Sequence, residues 1–245
     1  MKKLFLIILP LFLTACFKSE QNNTPIRLAI CPDTPPTSFL ENGVVIGLEM
    51  DILQKTADRL GRELIVETCP FKELFSRVEE GKADLCAGTI TITEERAKRV
   101  AFSKSYCRTD MIAIARIDKP CRNINDLKTL HLGLKGGTVY EDFCKTHDVP
   151  VEKTYKTREE AIEAVNNGEI DVTLMTTVLA RAIVRNDSVL AVTSGSLRTS
   201  DYAFGAQKNN KEGTALLKEI NKTIAQLKKS GELEDLLNKW LRYKD

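Results

Sequence analysis

Residues 81–106 read "GKADLCAGTITITEERAKRVAFSKSY", and the order of signals in this stretch decides the fold. A glycine that stops a preceding helix is followed by an apolar run over 84–88, which reads as a strand. Threonine and isoleucine then alternate from Thr89 to Thr93, a period of two that places hydroxyls on one face and isoleucines on the other. Thr93 is positioned as the N-cap of the helical segment "EERAKRV". The first N–H groups of a helix favour anions, and Glu94 and Glu95 suit that same end. Arg96 adds a planar fork that matches a carboxylate and keeps its proton. By itself the stretch leaves two readings open: a half-buried strand with a wet face running into a solvated helix, or hydroxyls and an arginine arranged to hold something.

The flanking sequence supplies the rest of an α/β frame. Residues 26–31 and 64–68 read as strands. Residues 47–60, "GLEMDILQKTADRL", and 71–80 read as helices that stop at Gly61 and Gly81. Strands alternating with helices predict a largely parallel sheet. The rhythm then restarts. Residues 111–116 and 131–134 form strands around the short helix "INDLKTL", and the second strand runs into Gly136-Gly137-Thr138. A helix over 158–166 is followed by Gly168, a strand over 170–175, a helix over 178–185 and an extended segment over 189–193. The tail over 211–243 is two helices broken at Gly231. The expected class is α/β, with two α/β lobes, the second inserted into the first.

The chain has 245 residues, 42% hydrophobic and 29% charged, within the range of one or two globular domains. Lys2 and Lys3 precede an apolar run over 4–13, too short to span a bilayer at ~20 residues and laid out as a secretory signal. It ends in Leu13-Thr14-Ala15-Cys16, which resembles a bacterial lipobox whose cysteine receives lipid and becomes the new N-terminus. Cleavage before Cys16 takes Lys2 and Lys3 from 36 basic residues and leaves 34 against 34 acidic ones. That neutral balance argues against nucleic-acid binding. Residues 16–25 form a polar tether. Cys31, Cys69, Cys86, Cys107, Cys121 and Cys144 remain, without zinc spacing; oxidised pairs and buried free thiols both stay open.

With these motifs in order, the chain resembles the bacterial extracellular solute-binding proteins of family 3, the receptors of amino-acid ABC transporters. The resemblance runs over residues 26–240. It rests on "PPTSFLENGVVIGLEMDIL", the 81–106 stretch, "LHLGLKGGTVYEDF", "NNGEIDVTLM" and "LKKSGELEDLLNKW". It implies a type II periplasmic-binding-protein-like fold: two lobes, residues 26–108 plus 203–245 and residues 109–202. Crossing segments near 107–113 and 199–205 would join them and close as a hinge.

The same resemblance implies a ligand site. Gly88, Thr89, Thr91 and Arg96 would hold the ligand's α-carboxylate, with Thr138 reaching it from the other lobe and Phe71 covering the ligand side chain. Gly136 and Gly137 would offer N–H groups to an anion, and Lys135 lies where the family lines its cleft. At the position where the family usually has an aspartate for the ligand's ammonium, this chain has Thr176. An unpaired ammonium in a closed cleft costs several kcal/mol. Either another acid supplies the charge, with Asp201 expected ahead of Asp110 and Asp33, or the ligand is not an ordinary α-amino acid. Thr34 stands where an aromatic is common.

The function implied is that of a lipid-anchored receptor, exported and held on the membrane through Cys16. It would deliver a polar amino acid or related carboxylate-bearing solute to an ABC permease and ATPase complex. A monomer is expected, with no catalysis, cofactor, metal or nucleic acid. A sensing lipoprotein or a dehydratase-like enzyme on the same fold are the alternatives. Enzyme chemistry needs a tuned cleft acid, and the late strand offers a hydroxyl. His131 and His147 fit no catalytic or metal spacing.

Overall fold

A computed structural model describes residues 24–184 and 187–241. The leader, Cys16 and most of the tether lie outside the described residues. The chain opens with β1 (Ile26–Ile30), a small antiparallel flap of β2 (Asp33–Thr34), β3 (Ser38–Glu41) and β4 (Val44–Ile46), then α1 (Leu48–Leu60) and β5 (Leu64–Thr68). A 3-10 turn over Phe71–Glu73 enters α2 (Leu74–Glu79), followed by β6 (Leu85–Ala87), α3 (Glu94–Arg99) and β7 (Val100–Phe102). β1 is parallel to both β5 and β6. Its side chains alternate across two buried faces. Ile26, Leu28 and Ile30 join the cluster under α1, whereas Ala29 and Cys31 join the cluster around Leu74, Phe75 and Val78 of α2. Each such aliphatic side chain, fully buried, stabilises by roughly 1.5–3 kcal/mol, an upper estimate because the unfolded chain already buries some of this surface.

The long strand β8 (Cys107–Arg116) leads into the second lobe. There follow α4 (Ile124–Leu127), β9 (Gly133–Lys135), α5 (Val139–Thr146), β10 (Lys153–Tyr155), α6 (Arg158–Asn166), β11 (Val172–Thr176), α7 (Thr177–Val184) and β12 (Leu190–Val192). β13 (Arg198–Tyr202) leads back, and β14 (Gly205–Gln207), α8 (Lys211–Ser230) and α9 (Glu232–Leu241) complete the first lobe. β14 sits between β6 and β7 in the first sheet, so the chain after the return closes the sheet that the N-terminal part began. β8 pairs β11 on one edge and both β12 and β13 on the other. The two connecting strands are thus hydrogen-bonded to each other from Arg198↔Met111 to Tyr202↔Cys107. β9 and β10 are parallel and reach β11 through the Leu132↔Val172 bridge. The second core gathers Met111–Ala115 of β8 with Leu134, Phe143, Val165 and Leu174.

Local signals explain most element ends. Thr157 and Glu160 form a reciprocal capping box at the start of α6. Gly61 and Gly231 end α1 and α8 in the left-handed conformation. Two expectations need correction. The helix read over 71–80 is a 3-10 turn continued by a short α-helix, since Pro70 precedes it and Phe71 heads the turn. The threonine–isoleucine run is not a strand. β6 stops at Ala87, and Thr89 adopts a φ of 52°. The cause is Glu49, buried on α1, whose Oε1 accepts the N–H groups of Gly88 (3.2 Å) and Thr89 (3.0 Å) and the Tyr106 hydroxyl (2.6 Å). This carboxylate takes backbone donors that a strand would have used in its ladder. Burial raises its pKa, against the opposing pull of those three donors. All six described cysteines are free and buried, so neither Cys31 nor Cys69 is in a disulfide.

Candidate functional site

Past Ala87 the chain leaves the sheet edge and runs beside the returning strand. Ala203 N–H donates to the Ile90 carbonyl and Ile92 N–H to the Asp201 carbonyl, each at 3.0 Å, and Thr91 bridges Tyr202. This lacing turns the Thr89 and Thr91 side chains into the gap between the lobes. Gly88 is needed at the bend: its φ is 137°, and a Cβ there would lie 3.0 Å from the Cβ of Cys31. Thr93 caps α3 by accepting the Arg96 N–H at 3.2 Å. From the first turn of that helix, the Arg96 guanidinium donates to the Thr91 carbonyl at 3.1 Å. It lies over Phe71, 5.0 Å from the ring centroid, and near Phe75 at 5.7 Å. Burial lowers its pKa to about 10, which leaves it charged at neutral pH. Among the described residues no carboxylate forms an ion pair with it.

The second lobe faces this arginine with the start of α5 and α6. Thr138 holds the N-cap position of α5 and donates its hydroxyl to the Lys135 carbonyl at 2.9 Å. Lys135, at the end of β9, forms an ion pair with Asp33 from the opposite lobe. Arg158, the first residue of α6, reaches the same carboxylate at 3.1 Å and the Asp33 carbonyl at 3.1 Å. Its Nε is buried without a hydrogen-bond partner among the described residues. Burial by itself would raise the pKa of Asp33, but the charge of Arg158 and the hydrogen bond from Lys135 prevail and hold it at about 2. Tyr202 donates its hydroxyl to Thr176 Oγ1 at 2.8 Å. These parts enclose a narrow cavity of about 30 Å³. The first lobe gives it Phe71, Thr89, Thr91 and Arg96, the second Lys135, Thr138, Val139 and Arg158, and the returning strand Tyr202. A chamber of about 830 Å³ adjoins it, sharing Phe71 and Lys135 and bordered also by Lys72 and Lys156.

Six residues singled out by sequence therefore meet at one cavity: Phe71, Thr89, Thr91, Arg96, Lys135 and Thr138. Thr176 lies one hydrogen bond behind it, through Tyr202. Gly88 does not face it; its N–H serves Glu49. Nor do Gly136 and Gly137 form an anion nest, because Gly136 N–H donates to the Tyr155 carbonyl and Gly137 N–H to Glu141 at 2.8 Å. Asp201 is a further correction. It pairs with Arg108 at 3.4 Å and borders a separate cavity of about 800 Å³ on the other side of the connecting strands. Successive residues of a strand point to opposite faces, so Tyr202 takes the cleft and Asp201 turns away. Asp110 borders that separate cavity too, held by Ser196 and Thr199. Of the three candidate acids, Asp33 is the one at the cleft.

Sequence reasoning missed Arg158 and Tyr202. A signal for Arg158 existed: a cation in the first turn of a helix opposes the helix dipole, so its presence needs another reason. His131 pairs with exposed Glu152, and His147 packs on Phe143 and shares a hydrogen bond with its carbonyl. No group of three metal-ligating side chains occurs among the described residues.

Two α/β lobes joined by paired strands, with a polar cavity between them that both lobes line, define a ligand-binding cleft protein. The sequence profile of the bacterial extracellular solute-binding proteins, family 3, matches residues 26–243, and the chain belongs to that family. It is 27% identical over 211 residues to the L-cystine-binding protein TcyJ of Escherichia coli K12, covering 84% of this chain and 78% of TcyJ. With the arginine-binding extracellular protein ArtP of Bacillus subtilis it shares 22% identity over 240 residues, 93% of this chain and 92% of ArtP. Among solved structures, a mutant of ArgBP from T. maritima superposes with a TM-score of 0.79 at 29% identity, covering 89% of this chain and 95% of that one. The amino-acid ABC transporter substrate-binding protein AbpA of Streptococcus pneumoniae, bound to L-arginine, gives 0.80 at 25% identity, with 90% and 95% covered.

Proposed function

We propose that this protein is the substrate-binding component of an ABC importer and that it closes on a polar amino acid or a related carboxylate-bearing solute. The observation that carries this reading is the Arg96 guanidinium. It is charged, half-buried over Phe71 and free of any ion pair with a carboxylate among the described residues, in a cavity lined by hydroxyls of both lobes. A carboxylate would meet the arginine fork bidentately, with the Thr91 hydroxyl donating to it and the hydroxyls of Thr89 and Thr138 turning to it from the Gly88 and Lys135 carbonyls. Contacts from both lobes stabilise the closed arrangement, so binding is read out as hinge closure. The relatives' names, which refer to cystine and arginine binding and to ABC transport, support the class. The lobe limits taken here are residues 26–108 plus 203–245 and 109–202, in keeping with sheet membership.

The Leu13-Thr14-Ala15-Cys16 sequence supports export and lipid attachment at Cys16, which would hold a monomeric receptor beside its permease and ATPase. A thermal-shift screen of amino acids, dipeptides, dicarboxylates and cystine tests the binding reading. A ligand at 100 times its Kd stabilises by about 2.7 kcal/mol. A panel without any shift, or a shift that Arg96→Met leaves intact, overturns it.

A further inference from the structure

The charge lining the cleft is inverted relative to what an α-amino acid needs. Arg96, Lys135 and Arg158 border the cavity, and one carboxylate among the described residues touches any of them, that of Asp33. Asp142 acts on Arg96 through space from the exposed side of α5 without an ion pair. Asp33 is already shared between Lys135 and Arg158, and their side chains are 12% and 11% exposed. Near β11, the buried Tyr202 donates its hydroxyl to Thr176 Oγ1, and the buried Tyr140 lies close to both Thr176 and Arg158. A guanidinium thus lies in the neighbourhood of Thr176, and its buried Nε has no hydrogen-bond partner among the described residues. An ammonium brought here would lose its hydration and face two cations. To gain a counter-charge it would have to displace Lys135 or Arg158 from Asp33. An anion would meet donors that are already desolvated and in place.

We propose that the cleft selects a small solute with two anionic groups and no free ammonium, of the dicarboxylate or N-acylated acidic amino-acid class. One anion is held by Arg96 and the hydroxyls of Thr89, Thr91 and Thr138. The other is held by Arg158 and Lys135, and the adjoining chamber past Phe71 gives the ligand its length. This rests on the receptor reading above and narrows its substrate.

The test is calorimetry and thermal shift on the mature chain with matched probes: succinate against L-aspartate, glutarate and N-acetyl-L-glutamate against L-glutamate. L-arginine and L-cystine serve as further comparators. Each dicarboxylate differs from its amino acid by the ammonium alone. The expected result is at least tenfold tighter binding of a dicarboxylate or N-acetyl probe than of its zwitterionic partner, weakening as salt is raised. Arg158→Gln is expected to weaken the dianion at least thirtyfold and to narrow its preference over L-aspartate or L-glutamate, whose second carboxylate loses the same contact but whose ammonium loses a repelling cation. Thr176→Asp, which leaves Arg158 in place, should reverse the preference and carries the test if Arg158→Gln does not fold. Equal or tighter binding of any zwitterionic or cationic amino acid, dependent on Arg96, overturns this inference and leaves the receptor reading standing. Failure of every probe to bind overturns both.

Discussion

Replacing Arg96 by methionine separates a ligand-binding arginine from a structural one, because the two roles predict opposite changes in the free protein. Burial holds the guanidinium pKa at about 10, below the ordinary 12.5, a penalty of a few kcal/mol at most. Against this stand one charged hydrogen bond to the Thr91 carbonyl, about 1.5–3 kcal/mol, and the contact over Phe71, about 0.5–2 kcal/mol. The terms nearly cancel, so Arg96→Met should leave the free protein within about 1 kcal/mol, or about 2–4 °C in Tm for a chain of this size. The bound state differs. Two charge-assisted bonds to a ligand carboxylate contribute about 3–6 kcal/mol, so the variant should bind at least 100-fold more weakly. At ligand equal to 100 times the wild-type Kd, wild type gains about 2.7 kcal/mol and about 5–10 °C. At the same concentration the variant gains about 0.4 kcal/mol and about 1 °C. Differential scanning fluorimetry with and without the best dianionic probe, paired with calorimetry, reads both numbers. A free protein that loses more than about 3 kcal/mol would make Arg96 a structural fixture. A ligand shift that survives would refute the reasoning outright.

Three further outcomes are expected. Asp201→Asn should leave ligand affinity within twofold, because that carboxylate faces Arg108 outside the cleft; a tenfold change would return it to the site. Gly88→Ala should cost roughly 1–3 kcal/mol in urea unfolding, since a side chain at φ 137° would press on Cys31; an unchanged midpoint would mean the bend relaxes freely. The third concerns pH. Asp33 has a folded pKa of about 2, below the 3.8 of a free aspartate. Its contribution is fully present above the unfolded value and is lost as pH falls through the folded one. Asp33→Asn should therefore flatten the stability–pH curve between pH 4 and pH 2; an unchanged slope there would exclude this ion-pair cluster as its source.

What could be read in the sequence was whatever depends on neighbours a few residues apart. The α6 helix spans the expected residues because Thr157 and Glu160 close their capping box within one turn. The tail breaks at Gly231 because that residue supplies the left-handed cap. Thr93 caps α3 and places Arg96 in its first turn for the same local reason. Family order then brought Phe71, Thr89, Thr91 and Thr138 to one place.

Tertiary structure alone decided which side of each element faces the cleft. Whether Asp201 or Tyr202 enters it depends on the pairing of β13 with β8, where one step of register exchanges the faces. The threonine–isoleucine alternation imitates a strand, yet the buried carboxylate of Glu49, 39 residues upstream of Gly88, takes the backbone donors and bends the chain. Arg158 becomes a cleft residue because Asp33, 125 residues earlier in the chain, meets it across the interlobe gap. Long-range pairing of this kind leaves no period in the sequence. The sequence determined the two lobes and the arginine between them. The sign of the charge around that arginine was decided where the lobes meet.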